Sequence, residues 1–558
     1  MSRFERQAIT ILSQMLKLPP LKALQLFDSS TLLGIQHTPE SISLILHQLL
    51  SSHMLCQAQS LILQLLSQHI TSTTFTTTSL FNRLTTQTHF SSSTALYETI
   101  INAYVQYESP EQAIFFFYEM IGKGLIPTSN TLNNVLSLLI EKNNYNKAWS
   151  FFNEMREKNI LDGYSFGIMI KGCCKNGELN RAFEVLTQFE NMGWPPNVVI
   201  YTTLIDGCCK VGDTDKAKQL FCKMEELGLA ANQYTYSVLI NGLFKTGLKK
   251  DGFDLYEKMK RDGAFPDLFT YSSVIHEYCN NGNVSKAFEL FDEMRERGVL
   301  CNVVTYNILI GGLCRQRRVL EAEKLVGQMK MAGLNPSLIT YNILIDGYCS
   351  IRRIDKAMSL FGKIKSSGLT PSLITYNVLI LGLSRIGNRS AVMDLIHEME
   401  ERGISPSKVT YTILIHTFTK SNDMEKACEM LVRMKEVGLL PDVCTYGVLI
   451  HGWCSEGNMV EALKLFRSML EMELKPNDII YNTMIHGYCK QGSSYRAMML
   501  LKEMCEKGMV PNMASYNMTI KVLCDDGKSD EAQILYGDMI KSGYQPLVTT
   551  FDSSSQIC

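Results

Sequence analysis

Amide and hydroxyl side chains recur in this sequence at a fixed interval, and their chemistry sets the first question. Asn307, Asn342 and Asn377 stand 35 residues apart, and each is followed 30 residues later by a serine, Ser337, Ser372 and Ser407. Amides and hydroxyls both donate and accept hydrogen bonds, which suits the reading of a polar edge. Signatures of catalysis are missing: the sequence has no H-x-E or C-x2-C zinc pair, no P-loop, no nucleophile elbow and no dinucleotide fingerprint. His416, His451 and His486 share one register, but adjacent helices lie about 8–10 Å apart. Ligand nitrogens must each come within about 2 Å of a shared ion, so the three are expected to be surface or packing residues. The chain is expected to hold no metal or cofactor and not to be an enzyme.

The elements that carry these residues form a tandem repeat. Thirteen units begin at Thr94, Ser129, Gly163, Val198, Gln233, Leu268, Val303, Leu338, Leu373, Lys408, Val443, Asp478 and Met513, and all but the second, of 34 residues, are 35 long. They follow one another without linkers over residues 94–547. Each predicts two helices. In the first, an aromatic at the fourth place and Leu-Ile at the seventh and eighth mark one buried face, as in Tyr306, Leu309 and Ile310. In the second, Ala287, Leu290, Phe291 and Met294 form one stripe. Gly298 and Gly333 follow such stripes at the thirty-first place, where a helix end wants positive φ, and proline commonly follows. A lone hairpin cannot bury both faces, so the units must stack into an all-α solenoid with one running core.

The same register accounts for the composition. Of 558 residues, 46% are hydrophobic and 20% charged, which excludes wholesale disorder. The formal charge of -1 excludes nucleic-acid binding by bulk positive charge but leaves room for a local basic stripe. No apolar run is long enough to predict a membrane span. Eight of the 17 cysteines, Cys174, Cys209, Cys279, Cys314, Cys349, Cys454, Cys489 and Cys524, share the twelfth place and read as reduced core residues. Eleven of the 29 methionines sit at the twenty-seventh place, which reads as packing rather than metal binding.

The period and wording, T-Y-N-x-L-I-x-G-x-C-K, then Ala, M-x3-G and a closing P-D or P-N, resemble the pentatricopeptide repeat family, in particular its pure 35-residue P class. A tetratricopeptide unit would carry a tryptophan pattern, and the three tryptophans here do not supply it. The resemblance covers about four-fifths of the chain. It implies a right-handed superhelix whose first helices line a concave surface for single-stranded organellar RNA. It also implies one base per repeat, read by the fifth residue with support from the last. Carried over, Asn133 with Asp162 implies U, Thr202 with Asn232 A, Ser237 with Asp267 G, and Ser272 with Asn302 A. Asn307 with Ser337, Asn342 with Ser372 and Asn377 with Ser407 each imply C over U. Thr412 with Asp442 implies G, and Asn482 with Asn512 implies C or U. The units of Glu98, Gly167, Gly447 and Asn517 stay unread, so the expected core is AGACCCG.

Two further registers fit that expectation. The second residues Val199, Tyr234, Phe269, Val304, Ile339, Ile374, Val409 and Ile479 would sandwich bases, as the family implies; ordinary interface packing is the bland alternative. At the thirteenth place Lys175, Lys210, Lys245, Arg315, Arg385, Lys420 and Lys490 form a basic line for phosphates, although cations also suit a helix end. If all seven touch RNA, the logarithmic salt slope is about -5.

Outside the repeats, residues 1–36 read as an organelle targeting segment, with Arg3, Arg6, Lys17 and Lys22 among apolar residues and Glu5 against it. Residues 37–93 read as an atypical helical cap and a Ser/Thr-rich linker, and residues 548–558 as a tail too short for an appended deaminase. The expected location is the mitochondrion, with the plastid as alternative. The expected function is RNA processing, by splicing, stabilisation or translation, with protein partners supplying any chemistry. The rival expectation is a scaffold that grips a peptide.

Overall fold

In a computed structural model, which describes residues 18–32, 37, 39–67 and 94–544, the chain is all-α: tandem helical hairpins stacked on one another. It divides into two compact units, residues 1–273 and 274–558. All thirteen first helices begin at the first place of their repeat, from Thr94–Gln106 to Met513–Asp525, and each second helix begins 16 residues later, from Pro110–Gly122 to Ser529–Lys541.

The residue before a first helix explains where it starts. It is the last residue of the preceding repeat, and its side chain accepts from the N–H of the third helical residue. Ser165 N donates to Asp162 Oδ1 at 2.9 Å, Thr305 N to Asn302 Oδ1 at 3.0 Å and Thr445 N to Asp442 Oδ1 at 3.0 Å. Such a cap is worth about 1 kcal/mol. The helices stop at residues of positive φ. Gly298 (75°) and Gly333 (77°) close second helices, and where glycine is missing Asn159 (56°) and Glu473 (57°) adopt the same conformation. A second turn of this kind, between the two helices of a repeat, uses Gly177 (78°) and Gly212 (88°) but also Arg317 (62°) and Arg352 (60°).

Packing between repeats is carried by an aromatic pair and a close approach. Phe291 of one second helix meets Tyr306 of the next repeat edge to face at 5.3 Å, and Phe361–Tyr376 and Phe466–Tyr481 repeat the contact at 5.4 and 5.6 Å. First helices pack against one another through the twelfth-place thiol and the tenth-place glycine of the following repeat. A Cβ on Gly312 would lie 2.6 Å from Cys279 Sγ, and one on Gly347 would lie 2.6 Å from Cys314 Sγ, so both places exclude a side chain. Burial pushes the Cys314, Cys349 and Cys454 thiols up to about 12, which keeps them protonated and inert. Of the eight cysteines in this register only Cys524 is not fully buried: it lies on the last described first helix, with no further one packed over it.

Ahead of the repeats lie α1 (Pro20–Leu32), α2 (Pro39–Ser51) and α3 (Leu55–Leu66), and α3 packs on the helix Thr94–Gln106. Across the expected boundary after residue 36, Phe27 of α1 is buried and stacks on His37 at 3.8 Å. The basic stretch of the targeting segment at residues 1–17, the Ser/Thr-rich stretch at 68–93 and the tail at 548–558 lie outside the described residues.

Candidate nucleic-acid interface

Places two, five, nine and thirteen of a first helix fall on one stripe of its surface. Two recesses show that the stripe is shared between neighbouring repeats. One, of about 630 Å³, is lined by Val304, Asn307, Arg315 and Ile339 together with His276 and Asp346. The other, of about 900 Å³, is lined by Lys420, Asp442, Gly447, Asn477 and Ile479 together with His416 and His451. Sandwiching, reading and phosphate candidates therefore border the same surface.

The second-place residues are not interface packing. Val199, Tyr234, Phe269, Val304, Ile339, Ile374, Val409 and Ile479 are all exposed, from 52% at Phe269 to 69% at Val199. Tyr164, at the second place of the repeat beginning Gly163, is 80% exposed and belongs with them. The expected set passed it over, although its register was legible. One bulky apolar side chain in each of nine of the thirteen repeats, left in water while the core is closed, is a surface suited to flat apolar faces.

The reading residues sit deeper. Asn133, Ser272, Asn342, Asn377 and Thr412 are half-buried, whereas Thr202, Ser237, Asn307 and Asn482 are buried, Ser237 to 2% exposure. Each side chain that is bonded inward meets a third residue that the sequence reading did not single out, the third place of the following repeat. Thr340 Oγ1 donates to Asn307 Oδ1 at 2.7 Å, Thr410 Oγ1 to Asn377 Oδ1 at 2.7 Å and Ser515 Oγ to Asn482 Oδ1 at 2.6 Å. Thr202, Ser237 and Thr412 bond Thr235, Thr270 and Thr445 at 2.7, 2.5 and 3.0 Å. Ser165 Oγ donates to Asn133 Oδ1 at 2.6 Å, while Asn133 Nδ2 donates to both carboxylate oxygens of Asp162 at 3.1 and 3.2 Å. Fifth and last residues are thus joined, directly or through this hydroxyl. Asn342 departs from the pattern: its Oδ1 is buried without a partner.

Two last-place carboxylates, Asp162 and Asp442, are held ionised. Burial alone would raise Asp162, but hydrogen bonds from Asn133 and Ser165 bring it below its ordinary value. Burial likewise opposes, and bonds from Thr445 and Lys408 outweigh it, at Asp442. Among the thirteenth-place cations, all seven are exposed. Lys210 is paired with Asp206 at 2.6 Å, Lys420 Nζ donates to the Arg385 carbonyl at 3.1 Å and Lys175 to Asn143 at 3.4 Å. Lys245, Arg315, Arg385 and Lys490 make no ion pair among the described residues, and the partners of Lys420 and Lys175 are neutral, so of the seven only Lys210 has its charge offset. Burial, then Lys420, His451 and Arg385, push His416 down, and burial, then Lys490, does so at His486. Near pH 7 neither adds charge to the stripe. Among the described residues no three His, Cys, Asp or Glu side chains are placed to hold a metal ion.

The repeats define the class. Residues 127–175 and, in overlapping matches, 196–525 fit the PPR repeat family, and residues 95–125, 164–194 and 514–544 fit the PPR repeat. The chain belongs to the PPR repeat family. It is 54% identical over 203 residues to the pentatricopeptide repeat-containing protein At4g11690 of Arabidopsis thaliana, covering 36% of this chain and 36% of that one. It is 31% identical over 107 residues to the Arabidopsis thaliana protein At1g80150, mitochondrial, covering 19% of this chain and 27% of that one. The chain thus spans about a third of the length of these curated relatives. The crystal structure of the pentatricopeptide repeat protein PPR10 from maize shares the fold, with a TM-score of 0.50 at 21% identity, covering 100% of this chain and 91% of that one.

Proposed function

We propose that this chain binds single-stranded RNA, one repeat to one nucleotide, and acts in organellar RNA processing without chemistry of its own. The observation that carries the reading is the row of second-place side chains, apolar and more than half exposed in one register, all but Tyr164 three residues from a recessed amide or hydroxyl on the same helix face. Bases stack between such side chains, while the polar side chain below meets the Watson–Crick edge. Lys245, Arg315, Arg385 and Lys490 meet phosphates. The expected core ligand is AGACCCG. Its A and G at Thr202 and Ser237 call for a base edge to reach nearly closed hydroxyls, so selection is strongest over the segment read by Asn307, Asn342, Asn377 and Thr412.

Clamping such a segment keeps it from pairing and from nucleases, and presents flanking sequence to enzymes brought by protein partners. Mitochondrial residence follows the name of the relative At1g80150, mitochondrial, with the plastid as the alternative. The test is a titration of the full chain with an RNA carrying AGACCCG and with a scrambled RNA of equal composition. A preference of at least tenfold for AGACCCG is expected. Equal affinity rejects the base assignment, and absence of RNA binding with capture of peptides favours the scaffold.

A further inference from the structure

We propose that the third-place hydroxyl of each following repeat is a specificity-determining positioning residue: it fixes whether the fifth residue shows a donor or an acceptor to the base. The proposal rests on RNA being the ligand and adds a residue to the reading set.

The proton count carries the first half of the argument. Asp267 Oδ1 accepts the Thr270 backbone N–H at 2.8 Å, and a carboxylate only accepts, so the Thr270 hydroxyl proton goes to it at 2.7 Å. Thr270 Oγ1 then has only lone pairs left for Ser237, whose one proton goes to it or to the Gln233 carbonyl at 2.8 Å. What Ser237 turns outward is a lone pair. Asn232 Oδ1 takes the Thr235 backbone N–H at 2.8 Å and its hydroxyl at 2.9 Å, which imposes the same direction on Thr202. Asp442 does so through Thr445, at 3.0 Å to nitrogen and 3.0 Å to oxygen, for Thr412, whose proton also has the Lys408 carbonyl at 2.9 Å. An outward acceptor suits the N–H groups on the Watson–Crick edges of guanine and adenine.

At Asn307 and Asn377 the direction reverses, whereas Asn133 and Asn482 spend Nδ2 on Asp162 and the Asp478 carbonyl and Asn342 Oδ1 has no partner. Ser337 N donates to Thr340 Oγ1 at 3.0 Å, and Thr340 passes its own proton to Asn307 Oδ1. With its oxygen held inward, Asn307 turns Nδ2 outward, and that nitrogen makes no hydrogen bond among the described residues. Ser407 N, Thr410 and Asn377 repeat the arrangement, with Ser407 N to Thr410 Oγ1 at 3.0 Å. An outward donor suits N3 and O2 of cytosine. One hydroxyl therefore serves both polarities, because it can give its proton to the fifth residue or to the last.

The second half of the argument is independent and lies in the sequence. In twelve successive repeat pairs, every polar fifth residue from Glu98 to Asn482 is followed by Thr or Ser at the next third place. The two glycines, Gly167 and Gly447, are followed by Ile200 and Ile480. A hydroxyl needed only to cap the helix would not vanish with the neighbour's side chain, since Asn197 and Asn477 still cap the third-place N–H at 3.0 Å in both cases. Where there is nothing to orient, the hydroxyl is replaced by apolar packing: both isoleucines are buried, and Ile480 Cγ1 fills to 3.5 Å from where a Gly447 Cβ would stand.

The test uses the full chain with Thr340→Val, which keeps the shape and removes the hydroxyl, against RNAs in which only the first C of AGACCCG is varied. Discrimination at that nucleotide is expected to fall from roughly tenfold to under about twofold, with neighbouring nucleotides read as before and Thr340→Ser restoring it. A Thr340→Val chain that keeps its preference at that C, or that weakens on all four bases equally while its thermal melt drops, overturns the proposal and leaves RNA binding standing. A wild-type chain with no preference for AGACCCG over its scramble overturns both.

Discussion

The repeats that begin at Val303 and Val443 share a backbone and differ in what they place at the stripe. In the first, Asn307, Thr340 and Ser337 form a bonded set. In the second, Gly447 and Ile480 leave apolar packing and one side of a recess of about 900 Å³. Both keep the capped first helix, the buried fourth-place tyrosine and the tenth-place glycine. Frame and candidate reading set are therefore separable: the first, with the capping last residue, is common property of the solenoid, and the polar fifth residue and the next third-place hydroxyl are present together or absent together.

The largest effect should come from breaking the frame, in either repeat. Gly312→Val puts a side chain into Cys279 Sγ, and overpacking of this kind costs about 1–3 kcal/mol or more. A thermal melt should show the loss, whether or not RNA is present. Next comes building the missing set. Gly447→Asn together with Ile480→Thr should create discrimination of roughly tenfold at the nucleotide after AGACCCG, measured by titration, while Gly447→Asn alone creates none. If the single substitution is sufficient, the separation drawn here is wrong. The smallest effect is a footprint. Cys444 is exposed and lines the recess, whereas Cys222 is exposed on a second helix. Bound RNA should slow alkylation of Cys444 several-fold and leave Cys222 unchanged, read by mass spectrometry.

Much of this was legible beforehand, for physical reasons. Residues such as Asp162 and Asn302 cap helices, so a period aligned on tyrosine also fell on the helix starts. Glycine at Gly298 and methionine at Met294 answer to conformation and packing that every repeat shares. The third-place hydroxyl was not legible as a candidate positioning residue, because Thr340 and Thr410 stand in the same T-Y-N wording as core residues and look monotonous until the two isoleucines are set beside the two glycines. Nor were the left-handed arginines Arg317 and Arg352, whose turn is marked by glycine or asparagine in the other repeats apart from Glu108. The depth of Ser237 and Thr202 is a property of packing between repeats that no local pattern reports.

The residue that closes each repeat holds two offices at once, since Asp162, Asn232, Ser337 and Asp442 begin the next helix and also sit in the reading set. Asn, Asp and Ser are near-equal helix starters. On the reading proposed above, exchanging one for another would rewrite a letter of the target at almost no cost in folding, and a protein of this build could drift to a new transcript without passing through an unstable intermediate.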